Sequence, residues 1–251
     1  MSLAWKHEVP TLSWTAKQKN PHLARAVLSY LWNQVEQGTG CPTGMAYAAY
    51  AGLAREPALK IWAEKVLGTV YENSRREVAD KPSVVIGYAM TEKQRGSDLR
   101  ETQTTAVYSH SAEYHGAVAH WYELTGHKWF CSVPQSDGFF TLAKVNGGVT
   151  CFFFPRTLPD GSFNRFFIQR LKDKAGNRSN AGSEVEYSGT MAIRVGEEGR
   201  GLREILSHSH LTRLDFAVGS AGLMRQVLTL ALNHTTTRNA FGSSLAKRPM
   251  M

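Results

Sequence analysis

No apolar run in this chain approaches the roughly 20 residues that a membrane-spanning helix needs. Lys6, His7 and Glu8 fall where an export signal would be apolar, so nothing in the sequence directs it outward. Cysteine is scarce: Cys41, Cys131 and Cys151 are an odd, unclustered set, which excludes a disulfide framework and reads as reduced core thiols of a cytoplasmic protein. The nine histidines include no His-Glu-x-x-His pattern, and there is no paired Cys-x-x-Cys. His208 and His210 stand two apart on a helix and point in different directions. Glycines 196, 199 and 201 lack the dinucleotide-fingerprint spacing and read as a loop. Internal repeats and low-complexity tracts are missing too.

What is present suits a globular protein large enough for a real core: 251 residues, 42% hydrophobic and 20% charged. The net charge of +8 attracts polyanions in general, and nucleic acid, coenzyme A phosphates and a dinucleotide diphosphate all qualify.

The spacing predicts three helices first. Leu23, Val27, Leu31 and Val35 recur every four residues from Pro21 to about Gly38, and with Ala26 and Tyr30 they outline one apolar face. Residues 42–54 and 57–67 follow, each with proline at its start. From Lys81 the pattern changes to short apolar runs bounded by turn residues. Strands are expected at 84–90, 104–109, 117–124, 128–133, 139–145, 149–154, 166–171 and 184–187, with Asn146-Gly147 as a hairpin turn. So many closely spaced strands argue for a barrel or sandwich. A long helix then runs from Leu202 towards Arg238, and its apolar stripe needs a partner.

Two strand ends carry the chemistry. Met90-Thr91-Glu92-Lys93-Gln94 leads into Gly96-Ser97-Asp98, a turn whose backbone N–H groups can face an anion. Gly126-His127-Lys128-Trp129-Phe130-Cys131-Ser132 brings an aromatic and a hydroxyl to a second end. A hydroxyl edge, a flat ring and a diphosphate turn are what a flavin dinucleotide asks of a protein.

These motifs resemble the acyl-CoA dehydrogenase family and, more narrowly, its AidB-like alkylation-response branch. Ser132–Asp137, Arg170–Lys174, Gly176–Ala181, Glu184–Glu186, Thr212-Arg213 and Arg238–Gly242 match in order and spacing. The resemblance covers essentially the whole chain, as a middle slice of a longer family member. It implies an α+β multidomain fold with a partial N-terminal helical domain (1–80), a central β-barrel (81–195) and the start of a C-terminal helical bundle (196–251). FAD is the implied cofactor and an acyl-CoA thioester the implied substrate. A homo-oligomer is also implied, and the AidB likeness adds DNA as a possible partner.

The implied cofactor-binding residues are Met90, Thr91, Gly96, Ser97, Phe130, Cys131, Ser132, Arg238 and Phe241. Thr91 would reach the pyrimidine edge of the flavin, Gly96 and Ser97 its diphosphate, and Phe130 and Ser132 its ring. Many relatives have Trp and Thr at the last two positions, and Phe130 keeps a flat face without the indole N–H. Trp129 reads as core, pointing away from Phe130 if this is a regular strand. Arg95 stands where relatives have a small residue, either adding a cation near phosphate or pointing to water. Arg238 and Phe241 match a segment that reaches the FAD of a neighbouring subunit, or else end a helix in solvent. Arg213 matches an arginine near the acyl-CoA pocket, and Asn177, Arg178 and Ser179 match a barrel motif. The family's catalytic glutamate is expected beyond Met251, so no catalytic carboxylate is assigned.

Overall fold

A computed structural model describes residues 1–94 and 96–250; the arginine weighed above at position 95 lies outside them. Five helices come first: α1 (Ser2–Lys6), α2 (Leu12–Thr15), α3 (Pro21–Trp32), α4 (Gly40–Leu53) and α5 (Lys60–Val66). Seven strands follow: β1 (Ile86–Ala89), β2 (Thr105–Tyr114), β3 (Ala117–Ser132), β4 (Gly138–Val145), β5 (Gly148–Pro155), β6 (Phe166–Leu171) and β7 (Gly182–Val195). Helix α6 (Gly201–Thr237) runs 37 residues and ends in a small hairpin of β8 (Asn239–Ala240) and β9 (Ser243–Ser244).

Six of the seven strands close on themselves. β3 pairs with β1, β2 and β7, while β4 pairs with β1, β2 and β5, and β5 returns to β7. β6 lies on the outer edge of β7. Strands β4 and β5 are apolar almost throughout because both faces are covered. Phe139, Ala143, Phe152 and Phe154 fill the barrel, while Phe140, Leu142, Cys151 and Phe153 face the helices. The Asn146-Gly147 turn is as expected, with φ of 48° and 83° joining a register that closes at Val145 and Gly148.

The two separate strands expected at 117–124 and 128–133 are one strand. It stays paired with β7 through register shifts at Leu124/Thr125 and Lys128/Cys131. Gly126 permits this, with φ of 146° and the Thr104 backbone 2.8 Å from where a Cβ would stand.

Helix α3 reverses its expected orientation. Leu23, Val27, Leu31 and Val35 face outward, and the face carrying Arg25, Ser29 and Asn33 is buried. The reason lies on α6, where Asp215 accepts hydrogen bonds from Arg25 and Ser29. A buried carboxylate needs partners, and the polar stripe supplies them. Helix α4 is built of small and apolar residues, buried on nearly every side against α5, α6 and β1.

Helix α6 meets the barrel through Ile205 and His208, then meets α3 and α4 through Asp215, Gly219 and Gly222. So its first part does have a partner within the chain. Beyond Gly222 the apolar residues Met224, Val227, Leu228, Leu230 and Leu232 are exposed. Among the described residues, no helix is long and apolar enough to cross a membrane.

Candidate functional site

The ends of β1 and β3 form the site. Their antiparallel register sets Tyr88 opposite Ser132 and Ala89 opposite Cys131. Just past β1, the Thr91 carbonyl accepts hydrogen bonds from the backbone N–H of Trp129 (2.9 Å) and of Phe130 (3.4 Å). The bulge of β3 therefore closes onto the start of the Thr91–Ser97 segment. Met90, Thr91, Phe130 and Ser132 are all half-buried. The Thr91 hydroxyl has no hydrogen-bond partner among the described residues. Gly182 of β7 lies under Phe130, whose ring would be 3.1 Å from a Cβ there.

Gly96 packs back on Thr91, where a Cβ would stand 3.1 Å from the Thr91 methyl. Gly96 and Ser97 are exposed and border an open depression of about 510 Å³ with Gln94, Asp98 and Glu101. Asp98 is engaged locally, accepting from the Arg100 N–H at 3.2 Å.

Two candidates sit differently from expectation. The Cys131 side chain is fully buried among Ala89, Phe139 and the barrel interior, so only its main chain is available to a ligand. Trp129 is not core. The register shift turns it outward, half-buried, with Lys172 Nζ 3.3 Å from its ring centre and Lys93 and Arg170 within 5.7 Å.

A second cavity, about 250 Å³, opens between α3, α6 and the loop before β7, lined by Asn33, Gln37, Asn177, Asp215, Phe216 and Ser220 among others. The loop that carries Asn177 is tied to the end of β3, where the Val133 N–H donates to Ala181 O at 3.2 Å. Of the barrel motif, Asn177 faces this cavity and Ser179 abuts Gly38, while Arg178 is exposed and pairs with Asp173. Arg213 is exposed, about 200° around the helix from Asp215, and does not join the cavity. Arg238 and Phe241 lie at the far end of α6, exposed and remote from Thr91 within this chain.

The thiols are quiet. Burial pushes Cys41 up to about 11 and raises Cys131 and Cys151 further. All three are unpaired. His208 is buried while His210 is exposed, and no group of three metal-ligating side chains occurs among the described residues.

Reading the sequence missed the Arg25–Asp215 contact and a buried Lys128–Glu92 pair. The signal for the first was there: Arg25, Ser29 and Asn33 recur with the same period as the apolar stripe, and Asp215 is the one carboxylate in α6 after Glu204. Lys128 and Glu92 are far apart in sequence and carried no such pattern.

Residues 1–73 match the N-terminal domain of the adaptive response protein AidB, and residues 87–190 match the acyl-CoA dehydrogenase middle domain. The chain is 40% identical over 248 residues to the putative acyl-CoA dehydrogenase AidB of Escherichia coli, covering 98% of itself and 44% of that protein. It is 29% identical over 220 residues to acyl-CoA dehydrogenase family member 11 of Caenorhabditis elegans, covering 84% of itself and 34% of that protein. It thus spans less than half the length of these relatives. Among solved structures, Bd2924 in its apo form superposes with a TM-score of 0.86 at 25% identity, over 99% of this chain and 49% of that one. The Caenorhabditis elegans ACDH-11 complex with C11-CoA gives 0.84 at 24% identity, over 99% and 42%. A helical AidB-type segment, a closed barrel of the acyl-CoA dehydrogenase type and 40% identity to one relative over nearly all of this chain agree: the chain belongs to the acyl-CoA dehydrogenase family.

Proposed function

We propose that this chain forms the flavin-holding part of an AidB-like, FAD-dependent oxidoreductase acting on acyl-CoA thioesters. The observation that carries the reading is the meeting of Thr91, Phe130 and Ser132 at the paired ends of β1 and β3. The donor set fits a flavin. The Thr91 hydroxyl, which has no partner among the described residues, can donate to a polar ring edge, where charge accumulates on reduction. Phe130 offers an aromatic face, braced from behind by Gly182. The exposed Gly96-Ser97 backbone and the Ser97 hydroxyl suit phosphate oxygens.

When bound, FAD would supply the hydride acceptor for α,β-dehydrogenation. The chain's own residues hold and orient: Thr91 and Ser132 from the strand ends, and Asn33, Asn177 and Ser220 from the cavity between α3 and α6, which we assign to the thioester. No carboxylate of this chain is assigned as the proton acceptor. Asp215 is committed to Arg25 and Ser29. Arg238 and Phe241 reach no flavin within their own chain, so their role is assigned to a second copy in a homo-oligomer. Three unpaired thiols favour a reducing compartment, the cytoplasm.

A second reading, contact with DNA, is favoured by one observation. Trp129 stands half-buried at one edge amid Lys93, Arg170 and Lys172, an aromatic within a basic cluster. Salt separates the two: DNA affinity falls steeply with ionic strength, whereas a thioester held in the cavity is less affected.

The test is to load the chain with FAD and add acyl-CoA thioesters of increasing length without oxygen. A shift of the flavin spectrum with at least one thioester is expected. A flavin that stays unperturbed by all of them would remove the thioester from the proposal.

A further inference from the structure

Directly beneath the Thr91 edge lies a charge pair that the functional reading does not use. Lys128 is wholly buried, and its ammonium is 2.7 Å from Glu92 Oε1, 2.7 Å from the Leu142 carbonyl and 3.0 Å from Thr102 Oγ1. A lysine has three donors, and all three are engaged. Glu92 is equally saturated. Its Oε1 also accepts from the Thr104 N–H (3.1 Å), the Thr104 hydroxyl (2.6 Å) and the Thr102 hydroxyl. Its Oε2 accepts from the Gln103 N–H (2.6 Å) and Gln94 Nε2 (2.7 Å).

Stability alone is a poor reason for such a pair, because a packed apolar pair of the same volume generally serves as well or better. What the pair does that an apolar contact cannot is fix directions. It joins four stretches of chain: the segment leaving β1 (Glu92, Gln94), residues 102–104 before β2, β3 (Lys128) and β4 (Leu142). Glu92 follows Thr91 immediately, and Lys128 stands two residues before Phe130, at the edge of the bulge. The same bulge is tied to Thr91 by the Trp129 and Phe130 N–H groups.

We infer that Lys128 and Glu92 are positioning residues: their buried pair holds Thr91–Gln94 and the Trp129-Phe130 bulge as a preformed edge, ready for the flavin before it arrives. The inference rests on the proposed flavin reading for the identity of the ligand and on the hydrogen bonds alone for the fastening. Burial by itself would raise the Glu92 carboxyl, but the Lys128 charge and the hydrogen bonds from Lys128, Thr102 and Thr104 outweigh it and hold the group well below its ordinary value. Burial pushes Lys128 down to about 8, with the Glu92 charge and hydrogen bond opposing the fall.

The experiment compares the whole chain with Glu92→Gln and with the double variant Glu92→Gln/Lys128→Met. The first keeps the side-chain volume, and the second leaves no orphaned charge, so folded protein is available for measurement. Amide hydrogen exchange is followed without cofactor in residues 91–104 and in the α4 segment 41–53, and FAD dissociation constants are measured well below the unfolding temperature. Exchange in 91–104 should quicken at least tenfold in both variants while α4 is unchanged, and FAD should bind at least tenfold more weakly. A merely structural pair would lower the unfolding temperature while leaving the local exchange and the FAD affinity of the folded protein alone; that result overturns the inference. If the unaltered chain binds no FAD, the flavin reading falls, and unchanged exchange in 91–104 would separately overturn the fastening.

Discussion

His208 of α6 and Tyr88 of β1 share a 2.7 Å hydrogen bond between Nδ1 and the phenol oxygen, sealed inside the core. The imidazole lies against the Phe140 ring, at 4.6 Å between centres, and its Nε2 has no partner among the described residues. The long helix is thus fastened to the barrel by a histidine that must stay neutral.

Burial, aided by Arg55 and His210, pushes His208 down to about 3 from an ordinary value of 6.5. Between those values the unfolded chain binds the proton and the folded chain does not, so stability rises with pH through the window and is lost as pH falls. The expected loss approaches about 1.4 kcal/mol per pH unit from this group. Urea midpoints at pH 4–7 check it: His208→Leu should flatten the slope relative to the unaltered protein.

Gly52→Ala should destabilise although it places a better helix former in α4. The gain in propensity is roughly 1 kcal/mol. Against it, the new Cβ would lie 2.8 Å from His208 Cδ2 and 2.9 Å from Nε2 of a fully enclosed ring. Overpacking of that kind costs about 1–3 kcal/mol, so a net loss is expected in thermal unfolding, relieved in part by His208→Ala.

Arg25→Met should cost about 3–5 kcal/mol by stranding the Asp215 carboxylate in the α3–α6 seam. The double variant Arg25→Met/Asp215→Leu should recover much of that loss, because no buried charge is left behind. Denaturant unfolding of the three proteins measures both steps.

The folded chain should resist thiol reagents. Cys41, Cys131 and Cys151 are buried and raised by that burial, so little thiolate is present or reachable. Titration with a chromogenic disulfide should find almost no fast-reacting thiol in native protein and three after denaturation.

Much of this architecture was legible in the residues, and the exceptions share a cause. Apolar runs such as 139–145 and 149–154 announce strands buried on both faces, and Asn146-Gly147 announces the turn between them. Periodicity shows that α3 has two faces but not which is inward; Asp215, 190 residues away from Arg25, decides that. The merger of two expected strands into β3 depends on a glycine at positive φ that reads equally as a break. Trp129 was misplaced because a bulge abolishes the alternation on which facing is argued. At the site, Thr91 and Phe130, singled out by their motifs, are joined backbone to backbone, and Ser132 lies two residues further along β3 opposite Tyr88, since those motifs lie at the ends of paired strands. Arg213, Arg238 and Phe241 do not join them, because α6 carries them around its far side or away towards its end.

The central claim is that the ends of β1 and β3 hold a flavin. Its most direct test is titration of the purified, folded chain with FAD, beside Thr91→Val and Phe130→Ala, followed by quenching of the flavin fluorescence. Saturable one-to-one binding, weakened about tenfold or more by either substitution, is the predicted result. A folded protein that leaves FAD free at every concentration, or binds it equally well without Thr91 and Phe130, would contradict the account.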